Sequence, residues 1–64
     1  MATEREYLEK QSDQELRGIL FSYCMGAVDI PVNTAFFICS TLAKRDPTLP
    51  NPRELFRNFC RNYI

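Results

Sequence analysis

The chain of 64 residues contains no histidine, no tryptophan and only two glycines, and its formal net charge is zero. Without histidine, the sequence lacks the side chain that most often acts as a general base or binds a metal near neutral pH. Zero net charge gives no overall field that would attract nucleic acid or an anionic membrane. The three cysteines lack the close spacing of a zinc site. These absences predict that the protein is not an enzyme and binds no metal or other cofactor.

Long hydrophobic runs are also missing. The two most apolar stretches, residues 18–28 and 30–43, are each shorter than the roughly 20 residues that a membrane-spanning helix needs. The first residues contain no apolar core of a secretory signal. We therefore expect no membrane association and a cytoplasmic protein with reduced cysteines. Cys24, Cys39 and Cys60 fall at apolar helical positions, which predicts buried free thiols.

What is present is a series of helix signals. Ser12 followed by Glu15 fits a capping box, Pro31 suits a first helical turn, and Asn51-Pro52 repeats the start signal. The signals predict a short helix beginning near Glu4 and longer helices over 13–27, 32–45 and 52–63. Prolines at 47 and 50 predict an extended connector before the last helix. Residues 1–64 are thus expected to form one small all-α domain: a short N-terminal helix, a central antiparallel helix pair and a C-terminal helix.

The apolar residues of these helices recur at the three- and four-residue spacing of a buried helix face. One face of each longer helix therefore contributes to the predicted core. That core consists of Leu16, Leu20, Tyr23, Ala27, Ala35, Ile38, Cys39, Leu42, Leu55, Phe59 and Tyr63.

Charge is distributed unevenly along the chain. Residues 1–32 carry a net charge of −3 and residues 33–64 carry +3. Arg53, Arg57 and Arg61 recur every four residues, so we expect a solvent-facing ridge on the last helix. The two ends of the chain would attract each other, within one fold or across a dimer, or the ridge would bind an acidic partner. The chain's own acidic candidates are Glu4, Glu6 and Glu9.

Three large apolar side chains project away from the main helix faces: Phe21, Met25 and Phe37. Either the first and last helices cover them, or they form an exposed patch, which marks a binding site on a small protein. A chain of this size is also marginally stable alone. We therefore predict a non-enzymatic protein–protein interaction module, a regulator that binds another protein, or itself as a homodimer, through these side chains and the ridge.

DNA binding is the alternative function. The short turn between the two central helices resembles a helix-turn-helix in length. Its second helix begins Val32-Asn33-Thr34-Ala35-Phe36-Phe37, which is too apolar to read base edges. The Arg53, Arg57 and Arg61 ridge could instead contact phosphates, although three arginines in a neutral chain give a weak electrostatic footprint. Nucleic acid is thus the less favoured partner.

One pattern of residues resembles a known family. It consists of Ser12-Asp13, Leu16, Ser22-Tyr23, Ala27, Phe37-Ile38 and Lys44-Arg45. These residues look like part of the short helical-hairpin inhibitors of sporulation histidine kinases, with different spacing, no diagnostic motif and no counterpart of the last helix. The resemblance implies a small bacterial regulator that binds a kinase's dimerisation helices with the edge of a hairpin.

Overall fold

The computed structural model describes residues 4–62, and this part of the chain forms four α-helices. They are α1 (Glu4–Glu9), α2 (Asp13–Cys24), α3 (Val32–Arg45) and α4 (Pro52–Asn62). The predicted all-α class is therefore confirmed, and α3 has the predicted bounds. α4 begins where predicted, and its predicted last residue, Tyr63, lies outside the described residues.

Side-chain caps begin two of the helices as predicted. The Ser12 hydroxyl accepts a hydrogen bond from the Glu15 N–H at 3.2 Å, and Asn51 Oδ1 accepts one from the Glu54 N–H at 2.9 Å. Each cap satisfies a backbone donor that has no carbonyl partner in the first turn. α3 starts at Val32 as predicted, but Pro31 is its cap rather than a residue of its first turn, and the cap makes no side-chain hydrogen bond.

α2 ends before the predicted position 27 because the chain turns through Gly26, whose φ is +78°. The Gly26 N–H donates to the Tyr23 carbonyl at 3.0 Å, and the Ala27 N–H donates to the Ser22 carbonyl at 2.8 Å. These two bonds form a Schellman motif, and its left-handed position strongly favours glycine. Ala27 leaves the helix and is exposed, so its predicted place in the core is wrong.

α3 lies at the centre of the fold and contacts each of the other three helices. Most of the predicted core is buried, but Tyr23 and Phe59 are only partly buried and pack against it, and Tyr63 lies outside the described residues. Leu8 of the short first helix is also buried, although it was not among the predicted core residues. The buried hydrophobic residues are Leu8, Leu16, Leu20, Ala35, Ile38, Cys39, Leu42 and Leu55.

Arg45 joins the end of α3 to the connection between α1 and α2. Its guanidinium donates to the carbonyls of Glu9 at 2.6 Å and Gln11 at 2.7 Å, and forms a salt bridge with Asp13 at 2.8 Å. Carbonyls at the end of α1 have no helical partner, so a cation there completes their hydrogen bonding and offsets the helix dipole. Arg45 thereby links the acidic and basic halves of the chain within one fold.

Residues 46–49 form a hydrogen-bonded turn, so the predicted extended connector is wrong. Asp46 Oδ1 accepts bonds from the Thr48 hydroxyl at 2.6 Å and the Thr48 N–H at 3.0 Å. The Leu49 N–H donates to the Asp46 carbonyl at 3.1 Å. The bonds from Thr48 lower the pKa of the Asp46 carboxyl because they favour its ionised form. The Asx turn and Pro47, whose fixed φ suits the second position of a β-turn, together define the local geometry.

Candidate functional site

An open groove, which we call the α3–α4 groove, has two aromatic rings as its floor. Phe36 of α3 and Phe56 of α4 are stacked, with centroids 4.8 Å apart and planes 10° apart. Tyr23 of α2 packs against Phe56 at 6.0 Å and 51°. The three rings therefore connect α2, α3 and α4. Such ring pairs add stabilisation beyond that of simple area burial. The groove has a volume of about 600 Å³ and is lined by Phe36, Arg53, Phe56, Arg57, Cys60 and Arg61.

Arg53, Arg57 and Arg61, the arginine ridge, line the groove and are exposed, as predicted. Their four-residue spacing places them on one row of α4. Phe56 and Cys60 follow two of them by three positions and so lie on the adjacent row. Among residues 4–62, no carboxylate lies within salt-bridge distance of the ridge. The ridge therefore does not pair with the chain's own acidic segment within the described fold, and its charge faces solvent.

The structure separates the three apolar residues that were predicted to bind a partner. Phe21 and Met25, at the end of α2, are 38% and 59% exposed. Phe37 is half-buried and packs against the core, with the Arg5 guanidinium 5.3 Å from its ring centroid. That distance is within cation–π range, so α1 covers part of Phe37. Phe21 and Met25 are therefore exposed, whereas the first helix partly covers Phe37. A binding role for any of the three stays a prediction.

Two further hydrophobic side chains are exposed near the same connection. Val28 is 39% and Val32 is 50% exposed. Because α2 ends at Cys24, the residues that follow are out of helical phase, and their exposure could not be read from a helical pattern. We call Phe21, Met25, Val28 and Val32 the junction residues.

The groove also contains residues that the sequence reasoning did not assign to a site. Phe36 and Phe56 were assigned neither to the predicted core nor to a site, and Cys60 was predicted only to be a buried thiol. A signal was nevertheless present: an aromatic residue three positions after Arg53 lies next to the ridge. The pairing of Phe56 with Phe36 comes from a different helix and had no local signal.

The three cysteines are free and differ in burial. Cys39 is fully buried, as predicted, whereas Cys24 and Cys60 are half-buried, with their Sγ atoms 3.4 Å apart. Burial raises the pKa of Cys39 to about 12. Burial, followed by the hydrogen bond and charge interaction with Cys60, raises the pKa of Cys24 to about 11. In the part of the chain that the structure describes, no three metal-ligating side chains are grouped to hold an ion.

No helix within residues 4–62 combines the length and the apolar character that crossing a membrane requires. Comparisons with protein-family models, with curated proteins and with solved structures give no match. The resemblance to kinase inhibitors therefore stays a prediction.

Proposed function

We propose that this protein is a small interaction module that binds an acidic, amphipathic helix of a partner protein in the α3–α4 groove. One observation carries the proposal: three exposed arginines, without a carboxylate partner among residues 4–62, lie beside an aromatic floor. A matching ligand presents negative charge and apolar side chains next to each other. A helix with glutamates in one row and leucines in the adjacent row has this surface.

The dimensions of α4 suit such a partner. Its 11 residues span about 16 Å, and the ridge from Arg53 to Arg61 spans about 12 Å. A partner helix of about three turns has the same length and can place a carboxylate opposite each arginine. Arginine suits this role because its planar guanidinium binds a carboxylate with two parallel hydrogen bonds.

The shape and charge of the groove favour a protein over other ligands. Its volume of about 600 Å³ is typical of ligand sites, but it is open along its length and suits a row of side chains. Duplex DNA offers phosphates to the ridge but no apolar surface for Phe36 and Phe56. Binding a helix of another protein would allow the module to regulate that protein by occupying its surface.

Self-association through the junction residues is a second candidate. Met25 and Val32, which are 59% and 50% exposed on either side of the α2–α3 connection, support it because large exposed apolar side chains are common at protein contact sites. A homodimer formed there uses none of the residues that line the groove, so the two functions are compatible.

The groove proposal is tested by fluorescence anisotropy with a labelled helical peptide of about three turns, with glutamate every fourth position beside a row of leucines. We expect the peptide to bind more weakly as salt rises. Replacing all three ridge arginines with glutamine should weaken binding about tenfold. This follows because three exposed ion pairs contribute about 0.5 kcal/mol each.

The matched control is Lys10→Gln with Arg17→Gln and Lys44→Gln, which removes the same total charge from exposed positions outside the groove. It should bind the peptide as the parent does. Equal weakening in both triple variants would show a general charge effect. Equal binding of a peptide with glutamine in place of glutamate would remove the ridge from recognition. Tighter binding of duplex DNA, with a steep salt dependence, would favour the DNA alternative.

A further inference from the structure

We propose that Cys24 and Cys60 are a thiol–disulfide modification site, at which a small organic disulfide oxidises both thiols to one intramolecular disulfide that ties α2 to α4. The two Sγ atoms are 3.4 Å apart although the residues are 36 positions apart in the chain. The juxtaposition is therefore produced by the fold. This inference does not depend on what the groove binds.

Little movement separates the two thiols from a covalent bond. A disulfide has an S–S distance of about 2.05 Å, so the Sγ atoms have to approach by about 1.4 Å. α2 and α4 are in direct contact, and each cysteine lies near the end of its helix. Rotation about the Cα–Cβ bond of a cysteine moves its Sγ atom by a distance of this size.

The fold also selects this pair among three cysteines. Cys39 has no exposed surface, so an external oxidant does not reach it in the folded protein. Cys24 and Cys60 keep part of their surface, and Cys60 lines the open groove. Cys60 is therefore the thiol that an external disulfide meets first.

The oxidation proceeds as two exchange steps. The Cys60 thiolate attacks one sulfur of the small disulfide RS–SR, which forms a mixed disulfide on Cys60 and releases RS⁻. The Cys24 thiolate then attacks Cys60 Sγ, which forms the intramolecular bond and releases the second RS⁻. The two protons from the cysteines protonate the two leaving thiolates. The protein loses two electrons and two protons, and RS–SR is reduced to two RSH.

Cys24 carries out the second step, the attack on the mixed disulfide, because of its position in the fold. Cys24 does not line the groove, and burial raises its pKa, so it is less open than Cys60 to attack on a disulfide in solution. Within the mixed disulfide its target is a neighbouring sulfur rather than a solute. Proximity of this kind compensates for a low thiolate fraction.

The test is oxidation of the folded protein by glutathione disulfide, followed by alkylation, proteolysis and mass spectrometry. We expect a single product that has lost two hydrogen atoms, with Cys24 joined to Cys60 and Cys39 alkylated only after denaturation. Oxidation in denaturant is the control. An unfolded chain favours the shorter loops 24–39 and 39–60, so the linkage should change. Oxidation should also raise the melting temperature by about 10 °C or more, reversibly with a reducing agent.

Variants separate this site from nonspecific thiol oxidation. Cys39→Ala should form the same internal disulfide, whereas Cys24→Ser should stop at a mixed disulfide between glutathione and Cys60. The same mixture of linkages with and without denaturant, or glutathione adducts without an internal bond in the parent, would overturn the proposal. The parent chain alone decides this, so the conclusion stands if a variant folds poorly.

Discussion

The two ends of α3 join their neighbouring helices in different ways. At its N-terminal end, backbone bonds around Gly26 close α2, Pro31 caps α3 without a side-chain bond, and Met25 stays exposed. At its C-terminal end, the Asp46 carboxylate holds a turn and the Asn51 side chain caps α4. Side-chain hydrogen bonds thus define the connection to α4, whereas only backbone bonds define the connection from α2.

The difference extends to the surfaces that the two ends support. After the C-terminal connection, α4 packs back against α3, so that Phe56 stacks on Phe36 beside the arginine ridge and apolar and charged groups share one groove. The N-terminal connection exposes apolar junction residues. A surface already held in its binding geometry loses less conformational entropy on association. We therefore assign recognition to the α3–α4 groove and, at most, self-association to the junction residues.

The largest expected change is in the free energy of unfolding, and it should differ between one residue at each end of α3. Leu42 is 1% exposed and Val32 is 50% exposed. Leu42→Ala should lower the free energy of unfolding by about 2–5 kcal/mol, because it removes buried methyl groups and leaves a cavity. Val32→Ala should change it by no more than about 0.5 kcal/mol. Chemical denaturation followed by circular dichroism measures both. Similar losses would show that the N-terminal end of α3 is more tightly packed than described.

A smaller change in stability, of opposite sign at the two glycines, tests where α2 ends. Gly18 lies inside the helix and Gly26 follows it. Gly26→Ala should destabilise the protein by about 1–2 kcal/mol, because alanine is strained at its φ of +78°. Gly18→Ala should stabilise it by up to about 1 kcal/mol, because a Cβ there meets no atom within 4 Å and alanine favours the helix. Thermal unfolding of both variants tests the pair. Stabilisation by Gly26→Ala would mean that α2 continues to the predicted position 27.

The smallest expected effect lies in the α3–α4 connection. The hydrogen bonds from Thr48 lower the pKa of Asp46 in the folded state. Their stabilisation is therefore present at pH values above about 3.9, the ordinary aspartate pKa, and is lost as the pH falls through the folded-state pKa. Thr48→Val removes the hydroxyl donor and keeps the N–H. It should lower the melting temperature slightly at neutral pH and less in acid. Parallel pH profiles of parent and variant would contradict this role for the turn.

Local patterns predicted the helices well because the relevant interactions join residues close in the chain. The Ser12 and Asn51 caps act over three residues, and the apolar spacing of α3 reports a single buried face. Gly26 was wrongly placed inside the predicted helix 13–27, because the sequence alone does not distinguish a glycine within a helix from one that ends it. The Asp46 turn was missed because Pro47 separates the aspartate from the threonine, and Pro47 and Pro50 were taken to indicate extended backbone.

The sites depended more on tertiary contacts. The exposure of the arginine ridge followed from its four-residue spacing. The stacking of Phe36 on Phe56, and the approach of Cys24 to Cys60, join residues from different helices with no local signal. Phe37 was grouped with Phe21 and Met25 because the cover that α1 provides could not be derived from either helix alone.

The central claim is that the groove, rather than the junction residues, recognises an acidic helix. The most direct measurement is an NMR titration of the labelled protein with the glutamate–leucine peptide, monitoring backbone amides and arginine side-chain N–H groups. We expect the largest shifts at Phe36, Arg57 and Cys60, and much weaker shifts with the glutamine peptide. Shifts centred on Phe21 and Met25, with the groove signals unchanged, would contradict it.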